Sequence, residues 1–378
     1  MKLNLKEINI NFSDIILYIF SIIVFLGVMT YSMVPFSGVL VNVRYGLIIL
    51  LFGIAVVTQK YNLEQWIPFL IGLTITIISL SVSGIGIEYL FLMLAIFSVS
   101  TISPKKLLRY SASVLFVALF FLAICSWLKI IPNLIFYRNN AYRQSWGTIY
   151  PLTLAGYVFY TIAAWMAIQN KTSHLKQIVI IIISAVLVLK VTAGRNDTMA
   201  ILLLLGVVII DKLKDKNNKI ILTTLALLTW IVCILSVFIT TIVSYSSNLF
   251  TFFDTIFNHR LGLQYTLFQF YSPQMWGQLV PQVGAGGTNE NVGYYFYIDN
   301  SYSRLLFMYG IALSIFLMIL FIIFTLKLIN VKAYKLAYIF LIVMISGIAE
   351  DSFINPVVNI FLYLLLQKKV QLQYEFEN

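Results

Sequence analysis

Apolar runs close to the roughly 20 residues a helix needs to cross a bilayer alternate with polar breaks along almost the whole chain. Twelve stand out: Ile15–Val34, Val39–Thr58, Trp66–Val82, Ile87–Ile102, Leu107–Ile131, Pro151–Ile168, Ile178–Ala193, Thr198–Ile210, Ile220–Val243, Leu305–Leu328, Ala333–Ile348 and Ile354–Leu366. The eighth, eleventh and twelfth are short, so they are expected either to be re-entrant or to extend a few residues further. The pattern predicts an all-α polytopic membrane protein of about 12 transmembrane helices, with 1–378 as a single integral membrane domain. No internal repeat and no separate soluble domain are visible.

The polar breaks are unequal. Two on the same side of the predicted membrane are long, 132–150 and 244–303, and long extracytoplasmic loops on a multispan protein usually do more than connect. The second opens with Leu249, Phe252, Phe253, Ile256 and Phe257 on one helical face, which predicts an amphipathic helix lying in the outer interface, with Pro273 ending the pattern. A glycine-rich stretch from Gly284 to Gly293 follows and reads as a mobile lid. It lacks the strand-turn-helix setting and the lysine of a nucleotide loop.

Composition sharpens this picture. Of the 378 residues, 61% are hydrophobic and 10% charged, against roughly 45–50% and 25% in soluble domains. That excludes a soluble enzyme, a nucleic-acid reader and a disordered scaffold. The net charge is +11, and its meaning lies in its placement. With the N-terminus in the cytoplasm, 17 of the 25 cations fall in the inner segments, distributed over every one of them. The positive-inside rule then puts both termini in the cytoplasm. Lys2 and Lys6 precede an apolar run with no cleavage site, the mark of a retained first helix. Cys125 and Cys233 lie in apolar runs far apart and read as packing residues, and two histidines are too few for a histidine-rich metal site.

The partition of cation types is the most informative feature. The inner set is 16 lysines and one arginine, whereas the outer set is Arg138, Arg143, Arg195, Arg260 and Arg304, with no lysine. Topology alone would use either residue. Arginine is favoured where a planar multi-donor group grips phosphate or carboxylate. The outer arginines therefore point to a polyanion site, with pairing to lipid headgroups or outer acids as the bland alternative.

The polar outer patches suggest what chemistry such a site performs. A glycosyl group on a polyprenyl diphosphate is already activated, and arginines around the diphosphate would stabilise its departing charge. A carboxylate can take the acceptor's proton. Asp299 is the candidate base, followed by Asn300, Ser301 and Tyr302, which can orient a sugar. Its alternative is a helix N-cap. Arg195 sits in a turn with Asn196 and Asp197, and Arg143 lies among Tyr142, Trp146 and Tyr150, either a sugar-binding or a belt-like aromatic setting. His259 is a proton shuttle or a structural histidine. Glu350 and Asp351 form an acidic pair that would either bind a cation or acceptor or simply be hydrated, and Arg44 and Glu88 lie near spans, where ionisable groups are costly and usually paired.

On these residues the chain resembles the Wzy-type polysaccharide polymerases, in the superfamily that includes O-antigen ligases. The resemblance is carried by the multispan pattern with a large late outer loop, by Arg143-Gln-Ser-Trp-Gly147 with Tyr150 and Pro151, by Gly194-Arg195, by Arg260, and by Asp299-Asn-Ser-Tyr302 followed by Leu305 and Gly310. It implies a GT-C-like, all-helical glycosyltransferase that joins undecaprenyl-diphosphate-linked repeat units into a surface or capsular polysaccharide on the outer face of the bacterial cytoplasmic membrane. Donor and acceptor are then both lipid-linked, with membrane lipids around them and a chain-length regulator and a flippase as further partners. Neither cofactor nor metal is expected, and no nucleic acid. Carried over, Asp299 and Arg260 are catalytic, Arg143, Arg195, Arg260 and Arg304 bind diphosphate, and Trp146, Tyr150, Asn300 and Tyr302 meet the glycan. The chain departs from the family pattern at Tyr150, where histidine is common, and at Leu152, where asparagine is. Ligases carry a histidine where Asp299 stands, which favours polymerase over ligase. The rival from another class is a lipid-linked oligosaccharide flippase, though its cations should line a cavity reachable from both sides. A small-solute permease is a third reading, weakened by the lack of broken-helix signatures in matched halves.

Overall fold

The computed structural model describes residues 11–138, 141–169, 173–213, 218–284 and 295–376. Most of the glycine-rich stretch read as a lid lies outside them. Fifteen α-helices and one hairpin are present among the described residues. Nine helices follow the first nine apolar runs: α1 Phe12–Thr30, α2 Ser37–Thr58, α3 Leu63–Ser83, α4 Ile87–Val99, α5 Pro104–Trp127, α6 Pro151–Ala167, α7 His174–Thr192, α8 Arg195–Leu213 and α9 Asn218–Ile242. The large loop adds α10 Asn248–Ile256, α11 Arg260–Phe270 and the single turn α12 Ser301–Arg304, and the chain finishes with α13 Ile311–Asn330, α14 Tyr334–Ser346 and α15 Lys369–Phe376. Among the described residues, seven helices are long and apolar enough to cross a membrane, and α4, α6 and α14 are shorter apolar helices. The architecture is that of a mostly helical, multi-pass membrane protein.

Local chemistry sets the boundaries. Ser103 Oγ accepts from Lys106 N at 3.1 Å and Pro104 opens α5, a side-chain cap followed by a residue whose φ is already helical. Gly84 closes α3 in the left-handed conformation. On α5, Phe116, Val117, Phe120 and Phe121 stay exposed. An apolar belt of that kind faces lipid, not water.

Two of the predicted spans come out differently. Ile354–Leu366 is not an α-helix: it is two short 3-10 segments, Asp351–Ile354 and Ile360–Leu364, joined by turns. It still runs from one end of the bundle to the other. At one end Asn355 donates to the Tyr31 hydroxyl (3.1 Å). At the other, Gln367 donates to Val99 O (3.0 Å) and Lys368 to Lys60 O (3.0 Å). Asn355 Oδ1 accepts from Val357 N (2.9 Å), and Asn359 Oδ1 from Phe361 N (3.0 Å) while its amide donates to Phe353 O (2.7 Å). Side chains thus take over the bonding a helix would have supplied, and the segment is buried almost throughout. Irregular backbone at membrane depth is tolerated only under such protein cover.

The tenth run is also interrupted. Leu305–Tyr309 forms a π-turn, and the regular helix begins only after Gly310. Gly310 (φ 98°) and Gly277 (φ 85°) lie back to back, and a Cβ on Gly310 would sit 2.4 Å from Gly277 N. Ile311 N donates to Gln274 O (3.0 Å) and Gln278 N to Met308 O (3.0 Å), tying the outer loop to the helix mouth. Gly310→Ala is expected to cost roughly 1–3 kcal/mol in backbone strain alone, with the clash added. Thermal unfolding followed by size exclusion should show a clear loss. Gly46→Ala, where a Cβ meets nothing within 4 Å, should melt like the parent.

Loop 132–150 is not wholly irregular: β1 Ile135–Arg138 and β2 Ala141–Gln144 pair antiparallel, with Phe136 opposite Arg143. In loop 244–303 the predicted amphipathic helix is present as α10, with Leu249, Phe252 and Ile256 exposed. Asn258 and His259, both left-handed (φ 52° and 64°), end it and turn the chain into α11.

Candidate functional site

At the end of the bundle where both long loops lie, side chains from five separated segments converge. The β-hairpin supplies Arg143. Strand alternation turns Tyr142 outward and Arg143 inward, where it is buried and its Nε donates to Thr192 O (2.8 Å). The turn after α7, with Ala193 left-handed, starts α8 at Arg195. The left-handed pair before α11 puts Arg260 at that helix's first position, braced by Asp254, which accepts from Gly262 N (2.8 Å) and meets His259 Nδ1 (2.9 Å). Segment 295–304 carries Asp299, and the turn after α14 carries Glu350 and Asp351.

Arg143, Arg195 and Arg260 line one small cavity of about 80 Å³, together with Asn196, Asn258 and Glu350. Arg260 also lines a polar chamber of about 400 Å³, with Tyr150, His259, Asp299, Glu350 and Asp351 on its walls. From the same arginine an apolar groove of about 620 Å³ runs between α8, α9, α11 and α14, past Leu203, Val232, Ile239 and Ile342. Met199, Leu203, Val232 and Leu235 are exposed on its flank, so it opens sideways toward lipid. Arg260 is the common corner of all three spaces.

Arg260 is held on several sides. Its Nε meets Asp299 Oδ2 at 3.3 Å, and its Nη1 meets Glu350 Oε1 at 3.2 Å and donates to Ala349 O. Asn196 donates to the same Glu350 oxygen (3.2 Å). Burial opposes the charge on Arg260, but Glu350 and Asp299 outweigh it and hold the guanidinium protonated. Burial raises Asp299 to about 7, Arg260 works against the rise, and Glu350 and Asp351 add to it. Asp299 is thus poised to exchange a proton near neutrality. It is not the helix cap: Asn300 Oδ1 accepts from Tyr302 N and Ser303 N, both at 2.9 Å, which leaves the Asp299 carboxylate on the cavity wall.

The other expected residues divide. Tyr150 lines the polar chamber, with the Arg143 guanidinium 5.6 Å from its ring centre. Asn300 lines the groove but spends its side chain on the cap and on Ser236 Oγ (3.1 Å). Tyr302 is buried, its hydroxyl donating to Met344 O (2.8 Å) and its ring against Phe353, so it has no face left for a sugar. Trp146 donates to Gln144 Oε1 (3.0 Å) within its own loop and lines none of these spaces. Arg304 stands apart from the other arginines: it is paired with Asp351, which also accepts from the Tyr297 hydroxyl (2.6 Å). Its guanidinium lies 5.0 Å from the Tyr297 ring centre.

The acidic pair Glu350-Asp351, an ambiguous feature in sequence, turns out to organise the arginines. Its signal was there: two carboxylates next to an apolar run, on the side where the arginines gather. Among the described residues Arg143 and Arg195 make no ion pair, so they are the cations free to meet an anion. No group of three His, Cys, Asp or Glu among the described residues is arranged to hold a metal ion. No family model matches the chain, and no curated protein matches it significantly.

Proposed function

We propose that the protein is a glycosyltransferase that joins lipid-diphosphate-linked oligosaccharide repeat units into a polysaccharide, as in the Wzy-type polymerases it resembles. One observation carries this reading: a cavity walled by three arginines meets, at Arg260, both a carboxylate poised near neutrality and an apolar groove open to lipid. A carrier lipid has the matching parts in the matching order. Its polyprenyl chain fits the groove, its diphosphate the arginine cavity, and its first sugar the polar chamber beside Tyr150.

In the reaction, an acceptor hydroxyl in the polar chamber attacks C1 of the donor's first sugar. The bond from C1 to the diphosphate oxygen breaks, and the polyprenyl diphosphate leaves. Asp299 takes the hydroxyl proton on Oδ1 while Arg260 holds Oδ2. Arg143 and Arg195 stabilise the charge developing on the diphosphate, aided by the N-terminus of α8 beside Arg195. Lys60, Lys105, Lys106, Lys176, Lys332, Lys335 and Lys368 lie at the far end of the bundle. By the positive-inside rule that end faces the cytoplasm, and the site faces out. The polymerase reading implies a bacterial cytoplasmic membrane as the setting.

The test is reconstitution of the purified protein in liposomes with lipid-linked repeat unit. Polymerase activity yields a ladder of lengthening glycans and free carrier diphosphate. Transport of unchanged repeat units across the bilayer would instead mark a flippase, and transfer onto a different acceptor a ligase. Because Asp299 acts unprotonated and is raised to about 7, the initial rate should climb with pH up to about 7 and level off above. A rate that falls through that range would reverse the role of Asp299.

A further inference from the structure

A second chamber of about 450 Å³ lies behind the polar one and shares Tyr31, Ile149, Tyr297, Asp351 and Asn355 with it. Five tyrosines line it: Tyr31, Tyr45, Tyr89, Tyr297 and Tyr309. So do Arg44 on α2, Glu88 in the first turn of α4, and the ion pair Arg304–Asp351. Arg44 is 7% exposed, its Nε has no hydrogen-bond partner, and among the described residues it makes no ion pair. The Arg44–Glu88 pair weighed from the sequence is not formed as a direct contact. Glu88 instead accepts from the Tyr309 hydroxyl (2.7 Å). The Arg44 guanidinium lies beside bare backbone: a Cβ on Gly27 would be 3.8 Å from its Nη1.

A buried arginine with no direct ion pair is costly in a membrane protein and marks function by default. The volume fits a small polar ligand. The lining narrows its chemistry. Arg44 calls for one anion, because the chamber's other arginine, Arg304, is already paired with Asp351; Glu88 calls for a hydroxyl donor, and the tyrosines for an apolar ring face. A free phosphate would meet Glu88 as a repulsive neighbour and leave the tyrosines idle, and a lipid tail would leave both charges idle. We infer that this chamber is a subsite for an acidic sugar, a carboxylate-bearing unit of the glycan adjacent to the reacting one.

The inference rests on the glycosyltransferase reading, and its test is chosen to fail separately. Saturation-transfer NMR on the purified protein reads weak sugar binding without any turnover. Methyl glucuronide should give a signal at least tenfold above that of methyl glucoside. Inorganic phosphate, and glycerol phosphate as a headgroup mimic, should not displace it. Arg44→Gln should remove the preference and Arg44→Lys retain part of it, while Tyr45→Leu weakens both sugars. Equal signals from the two sugars, no signal from either, or displacement by phosphate would each overturn the inference on the unaltered protein, even if Arg44→Gln does not fold. Failure of the reconstituted, unaltered protein to lengthen any lipid-linked repeat unit would instead strike the glycosyltransferase reading and leave the glucuronide result standing.

Discussion

Asp299→Asn should abolish polymer formation while the protein accumulates and purifies as the parent does. The amide fills the same space and its oxygen can still accept from Arg260 Nε. Arg260 keeps Glu350 and Ala349 O. The substitution also removes a negative charge that burial and two neighbouring carboxylates already disfavour, so folding has nothing to lose electrostatically. What goes is the lone pair that, in the proposed reaction, receives the acceptor's proton. General-base contributions run to roughly 10²–10⁴-fold, enough to reduce a ladder of glycans to single lipid-linked repeats on a gel. Long chains from the Asn variant would reassign the base, with the Asp254-held His259 on the chamber wall as the next candidate.

How much of this could be read in the chain follows from which interactions are local. The helices of the first nine apolar runs were legible because the apolar length of each lies within its own residues. The twelfth misled because Ile354–Leu366 is buried on all sides, so hydrophobicity carries no period to separate a helix from turns. The clues lay in Asn355, Pro356 and Asn359, residues that bond or block the backbone locally. The break at Gly310 depends on Gly277, distant in sequence, and no pattern within the tenth run declares it.

The site divides in the same way. The arginine–lysine partition singled out Arg143, Arg195 and Arg260 because it reflects chemistry residue by residue. It could not separate Arg304, whose fate is decided by Asp351 and Tyr297. Nor could it see Tyr302 turned into the core or Trp146 held within its own loop. A motif gives order along the chain, whereas side-chain direction comes from packing.

That packing decides what Arg260→Ala should do. The sequence alone suggests a variant with normal protein levels and no activity, on the view that Arg260 is a free phosphate ligand. In the structure it is the buried partner of Asp299 and Glu350. Its removal leaves those carboxylates facing each other under cover. Breaking a buried pair from one side costs about 3–5 kcal/mol, a large part of any domain's stability. Arg260→Ala should therefore lower both membrane protein level and polymer. Adding Glu350→Gln removes one stranded charge, so the double variant should recover level and melting temperature without recovering activity. Immunoblots of membrane fractions, read beside glycan gels for both variants, separate the two contributions. An Arg260→Ala protein that is abundant, stable and inactive would mean that the pairing with Glu350 contributes little to stability. One that is abundant and makes full-length polymer would remove Arg260 from the site altogether.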